Sequence, residues 1–142
     1  MSDRARHDHA LYLEGLRLFN AGAYYESHEV WEDLWLRNRS EARPFLQGLI
    51  QVAAALHHQA RGNTVGMQAL LIEAGRRLEP FAPSTLGVAV DPLLADLEAL
   101  QLESIVSARL VYDAPTFEDF APHAGSVPGP AVKQDWRWQP TA

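Results

Sequence analysis

Cysteine is missing from all 142 positions. Its absence removes disulfides, thiolate zinc sites, iron–sulfur clusters and a cysteine nucleophile. Any metal would then be held by His, Asp, Glu or water. Basic charge is scarce as well: 12 Lys and Arg stand against 18 Asp and Glu, a formal charge of −6. A general nucleic-acid binder needs a basic face to neutralise phosphates, and the cluster Arg37, Arg39 and Arg43 sits beside Glu41. No nucleic-acid partner is expected. Long apolar runs are lacking too. No stretch approaches the roughly 20 residues needed to cross a bilayer. Met1 to His9 is polar where a signal peptide would be apolar. These absences lead to the expectation of a soluble cytoplasmic protein with no membrane partner.

What is present suits one folded domain. Apolar residues are 47% of the chain and charged residues 21%, which excludes global disorder. The length matches a single core rather than two. Helical spacing dominates. A first helix is read from about Asp8 to Ala21, where Gly22 offers a left-handed stop. A second runs from about Ala23 to Arg37. Ser40 is a suitable N-cap for a third, from about Glu41 to Arg61, with Pro44 in its first turn. This helix is apolar over most of its circumference, so it belongs at the centre of a bundle. Thr64 is read as the cap of a fourth, to about Glu79. Pro80 to Val90 reads as a loop. Asp91-Pro92 reads as the start of a fifth helix, to about Leu110.

The class is therefore all-α: a five-helix bundle of paired hairpins over residues 1–112. The first hairpin is tetratricopeptide-like, with Gly15, Phe19, Gly22, Tyr25 and Glu32 in the expected small and aromatic places. The period then fails, so no true repeat array is expected. Residues 113–142 hold five of the nine prolines. They also carry Phe117, Phe120, Trp136 and Trp138, so this irregular tail is expected to dock its aromatics on the bundle. A mobile tail that binds a partner is the other reading.

Chemistry concentrates on the second helix. At 100° per residue, Tyr24, His28, Trp31 and Trp35 share one face, with Glu32 one turn after His28 and Glu29 between faces. On the third helix Gln47, Gln51 and His58 fall within a narrow arc. Polar residues on an otherwise apolar helix need partners. If the two helices pack antiparallel, His28, Glu32, Gln47, Gln51 and His58 form one polar pocket walled by Trp31 and Trp35.

Two readings of that cluster stay open. In one, His28 and Glu32 act as acid–base pair or metal ligands, with Glu29 as third ligand. Gln47, Gln51, His58, Trp31 and Trp35 then bind a small polar substrate. A divalent ion is the cofactor to consider, and metal-dependent hydrolysis the reaction, since such an ion activates water. The zinc-protease pattern His-Glu-x-x-His is not met, because Glu32 stands at the second histidine's place. In the other reading the cluster is a structural hydrogen-bond network in a non-catalytic helical module that binds a protein partner. His57 is adjacent to His58 but points about 100° away and is read as a surface or packing residue. Substrate and oligomeric state are not encoded in any motif.

Two long stretches carry a resemblance. Phe19-Asn20-Ala-Gly22-Ala-Tyr24-Tyr25-Glu26-Ser-His28-Glu29-Val-Trp31-Glu32-Asp-Leu-Trp35 is one. Phe45-Leu46-Gln47-Gly48-Leu49-Ile50-Gln51-Val-Ala53-Ala54-Ala55-Leu56-His57-His58, followed by Arg61-Gly62-Asn63 and Gly66, is the other. Over about residues 8 to 80 they resemble the domain of unknown function 309 family. That resemblance implies a small all-α bacterial or archaeal domain, loosely described as a predicted metal-dependent hydrolase. The motif residues correspond here to His28, Glu29, Trp31, Glu32, Trp35, Gln47, Gln51 and His58.

Overall fold

The structure is a computed structural model and describes residues 3–102 and 108–113. Its helices are α1 (Asp3–Asn20), α2 (Tyr24–Arg37), α3 (Arg43–Ala60), α4 (Thr64–Leu78) and α5 (Val90–Gln101). A turn of 3-10 helix at Glu79–Phe81 and a two-residue hairpin, β1 (Ser84–Thr85) with β2 (Val88–Ala89), join α4 to α5. The class is all-α, as the periodicity predicts.

Packing follows chain order. α2 lies against α1 and α3, and α3 lies against α2 and α4. The nearly all-round apolarity of α3 is explained by this central place: every residue from Phe45 to Leu56 is buried. The first hairpin closes tightly because Gly15 has no side chain. The Trp31 indole fills the space a Cβ would take, and its Nε1–H donates to the Tyr12 carbonyl at 3.2 Å. Ser27 Oγ donates to the Gly15 carbonyl at 2.9 Å, tying the same crossing from the α2 side. The turns after α1 and α3 are made by Gly22 at φ 81° and Gly62 at φ 80°, where other residues would be strained.

Several boundaries differ from the sequence reading. α3 begins at Arg43 with Ala42 as its N-cap, and the Ser40 hydroxyl accepts from the Ala42 N–H at 3.3 Å in the turn before it. α1 begins at Asp3, several residues before the predicted start, although this stretch is polar. Tertiary contact supports it: buried Asp8 accepts from Asn38 Nδ2 at 3.0 Å and lies 3.5 Å from Arg37 Nε. The cap of α4 is Asn63, not Thr64; Asn63 Oδ1 accepts from the Gly66 N–H at 3.0 Å. α5 starts at Val90, so Asp91 and Pro92 lie inside its first turn, and it does not reach Leu110. Residues 108–113 are not helical. Instead Val111 accepts from the Ala89 N–H at 2.8 Å, and the Asp113 N–H donates to Gly87 at 2.8 Å. The open edge of the β1–β2 hairpin competes successfully for this strip, whose Tyr112 bridges to Val88. Asn20 clamps the strip from α1: its Nδ2 donates to the Leu110 carbonyl at 2.9 Å and its Oδ1 accepts from the Leu110 N–H at 2.8 Å. Phe117, Phe120, Trp136 and Trp138 lie outside the described residues.

Candidate functional site

The α2 face is assembled as the wheel places it. Trp31 and Trp35 are buried, at 0% and 1% exposure, and His28 is 6% exposed. His28 Nε2 lies 3.4 Å from Glu32 Oε2, the one-turn pair expected from the spacing. Both imidazole nitrogens are shielded from solvent, while the Glu32 side chain keeps 22% of its surface exposed. Tyr25 stacks against His28 with ring centres 6.3 Å apart, and tilts against His57 at 5.3 Å. Glu29 bonds the Tyr25 hydroxyl. Its carboxylate, and after it burial and the nearby Glu26 and Glu32, hold that phenol above its ordinary range.

The α3 stripe does not all turn toward α2. Gln51 is fully buried and faces α4: its Nε2 donates to Glu73 Oε2 at 3.1 Å, and its Oε1 accepts from Arg77 Nε at 3.1 Å. His58 pairs with Asn63 at the end of α3, Nδ1 to Nδ2 at 3.0 Å. Gln47 is buried at 8% exposure, one turn before Gln51. His57, rather than His58, reaches the His28 side of the molecule, through Tyr25. A signal for this was present: Tyr25, His28, Glu29 and Glu32 follow the i, i+3, i+4, i+7 pattern of one helix face. Nothing in the helix pattern of α4 marks Glu73 and Arg77 as partners of a glutamine on α3.

The residues do not make a complete metal set. Among the described residues, no group of three or more His, Asp or Glu is arranged to hold a metal ion. Catalytic zinc sites use three protein ligands and an open position. His28 and Glu32 supply a pair, and Glu29 is engaged by Tyr25.

A second feature lies on the α4 side. Pro44 at the start of α3, Glu73, Arg76 and Arg77 on α4, and Pro80 and Phe81 after it line an open cleft of about 520 Å³. Phe81 packs against buried Phe45 at 5.5 Å, so the apolar floor is anchored in the core. Arg76 is exposed at the rim, while Arg77 is held by Gln51. Arg43, next to Pro44, is turned inward. Its guanidinium lies 3.6 Å over the Trp35 ring and its Nε donates to the Trp35 carbonyl at 3.0 Å.

The histidines at the end of α3 give stability a pH dependence. Burial pushes His57 below its ordinary value, aided by Arg61 and opposed by Glu26. Burial also lowers His58, with His57 and Arg61 adding to it. Asn63 fixes the His58 tautomer: with its oxygen taken by Gly66, its Nδ2 donates, so His58 Nδ1 must accept and remain unprotonated. Both groups bind protons more readily unfolded than folded. Their effect is therefore absent above the unfolded value of about 6.5 and grows as pH falls below it. The melting temperature is expected to decline from pH 7 to pH 5, and a His57→Gln, His58→Gln variant is expected to decline less steeply. Parallel curves for the two proteins would contradict this assignment.

Helical hairpins packed in sequence, with a histidine–glutamate–tryptophan face on the second helix, define a class of small all-α domain. Across residues 12–70 the chain matches the model of the family described as Domain of unknown function (DUF309). The matched stretch contains the whole α2 face, all of α3 and the Asn63 cap. The chain is similar to a Bacillus subtilis (strain 168) protein named "Uncharacterized protein YpuF", 33% identical over 106 residues. That match covers 70% of this chain and 61% of the relative, so the chain spans less than two thirds of that protein's length. No helix among the described residues is long and apolar enough to cross a membrane.

Proposed function

We propose that the protein is a non-catalytic helical binding module, and that its ligand is an acidic segment carrying an aromatic side chain. The observation that carries this reading is the cleft: an apolar floor of Pro44, Pro80 and Phe81 beside Arg76 and Arg77. Its volume of about 520 Å³ lies in the range, roughly 300–1,000 Å³, of sites that take a small ligand. By contrast, the His28 imidazole and the two tryptophans of α2 are shielded, although Glu32 keeps part of its surface exposed. Trp31 and Trp35 present no surface to a substrate, and the His28 nitrogens lie beneath the helix surface. In this reading His28, Glu32, Gln51 and His58 serve the fold: they satisfy polar groups where α3 is wedged between two helices.

The test uses the full-length chain with Phe117→Ala and Phe120→Ala, so that its own tail aromatics cannot compete. A labelled hexapeptide alternating glutamate and phenylalanine is titrated in, and fluorescence polarisation is followed. Saturable binding is expected, weakened by about tenfold in an added Arg76→Glu variant, the loss of one close charge pair. Equal binding of a lysine–phenylalanine hexapeptide, or indifference to Arg76, would count against the reading.

One observation favours a second reading. Glu32 keeps solvent access while lying 3.4 Å from a shielded imidazole, an arrangement suited to passing a proton between a ligand and His28. Ester or phosphoester turnover that vanishes in Glu32→Gln at unchanged melting temperature would support acid–base hydrolysis instead.

A further inference from the structure

We infer that the occupant of this cleft is the chain's own tail, through residues 116–120, so that the module is self-occupied and an outside ligand must displace it. This rests on the binding-module reading and names its ligand. The first argument is chemical. Phe117-Glu118-Asp119-Phe120 places two adjacent carboxylates between two aromatic rings. The cleft offers the complement: an apolar floor with Phe81, and Arg76 and Arg77 beside it. The cleft's one carboxylate, Glu73, accepts from the Gln51 amide, and the two arginines outnumber it, so the charge of the lining is positive on balance. The second argument is reach. The Asp113 N–H is held on the Gly87 carbonyl at 2.8 Å, in the turn of the β1–β2 hairpin. That hairpin is tied to the cleft wall, because Thr85 Oγ1 donates to the Phe81 carbonyl at 2.8 Å. Asp113 is thus linked through the hairpin to Phe81 of the cleft. From Asp113 to Phe117 an extended chain reaches about 14 Å. The third argument is tethering. A tether of a few residues gives an effective concentration on the order of millimolar, so even a weak contact is occupied.

The lack of native cysteine makes the test clean, because any disulfide must come from introduced thiols. In the full-length chain, Pro80→Cys at the cleft is paired with Ala121→Cys, next to Phe120. The control pairs Pro80→Cys with Thr141→Cys near the chain end. Under mild oxidation the first pair is expected to close within the monomer about tenfold faster than the control, as proximity raises effective concentration. Adding Phe117→Ala and Phe120→Ala, or Arg76→Glu, is expected to remove the difference. The glutamate–phenylalanine hexapeptide is also expected to bind the native chain about tenfold more weakly than the alanine variant. Equal closure rates for the two pairs, or equal peptide affinity for native and alanine chains, would overturn self-occupancy. If peptide binding to the alanine variant persists in that case, the binding module stands with another ligand. If that binding is missing too, both readings fall.

Discussion

Replacing Gly15 with alanine is expected to destabilise the protein by about 3 kcal/mol, the upper part of the range for overfilling a packed core. Helix propensity alone argues the opposite. Alanine within a helix is favoured over glycine by about 1 kcal/mol. Packing decides the sign. A Cβ at Gly15 would stand 1.9 Å from Trp31 Nε1 and 2.3 Å from its Cδ1. The obstacle is a rigid indole at 0% exposure, not the end of a flexible side chain. Moving it breaks the bond to the Tyr12 carbonyl and pushes against Phe19, whose ring stacks on it at 6.0 Å. Urea unfolding of Gly15→Ala, Trp31→Leu and the double variant measures the coupling. The double variant is expected to be more stable than the two single losses predict by addition, because leucine vacates space that the new methyl enters. A Gly15→Ala protein as stable as the parent would show that α1 and α2 do not cross as described.

The largest loss is expected from Trp35→Ala, about 5 kcal/mol, at the top of the range for removing a buried aromatic side chain. Three contributions coincide. The indole is 1% exposed in the core. It carries the Arg43 guanidinium on its face at 3.6 Å, a cation–π contact in a desolvated place. Burial, with Arg39 nearby, pulls Arg43 below its ordinary value, so this cation depends on the contacts it has. With the ring gone, Arg43 would retain its bond to the Trp35 carbonyl but face a cavity. Domains commonly hold about 5–15 kcal/mol in total, so this variant is expected to be largely unfolded at 37 °C. Trp35→Phe keeps a ring beneath the guanidinium and is expected to lose less than half as much. Denaturant titrations of the pair check this; equal losses would mean that cavity size and the cation contact contribute little.

Periodicity made much of this fold legible. Gly22 and Gly62 mark turns where the backbone requires positive φ, and the uninterrupted apolarity of α3 announces its central position. A helical wheel also put Trp31, Trp35, His28 and Glu32 together correctly, because that arrangement is internal to one helix. It could not decide which neighbour each side of α3 would meet. Gln51 and His58 share an arc, yet one meets α4 and the other the turn after its own helix. The early start of α1 and the early end of α5 were hidden for a similar reason. Asp8 gains its place from Arg37 and Asn38, about thirty residues away, and residues 108–113 from the edge of a hairpin. Local propensity carries no record of such partners.

The Asn20–Leu110 clamp joins positions ninety residues apart. The helical hairpins close between near neighbours in the chain, so they can form as each leaves the ribosome. The strip at residues 108–113 has no such option. Its partners wait on α1 and on the β1–β2 hairpin until residue 113 has been made, so among the described residues it sets after the helical hairpins during synthesis. The same dependence runs the other way in the finished molecule. Trimming α1 would loosen the strip at residues 108–113, and damage to either would be felt at the other.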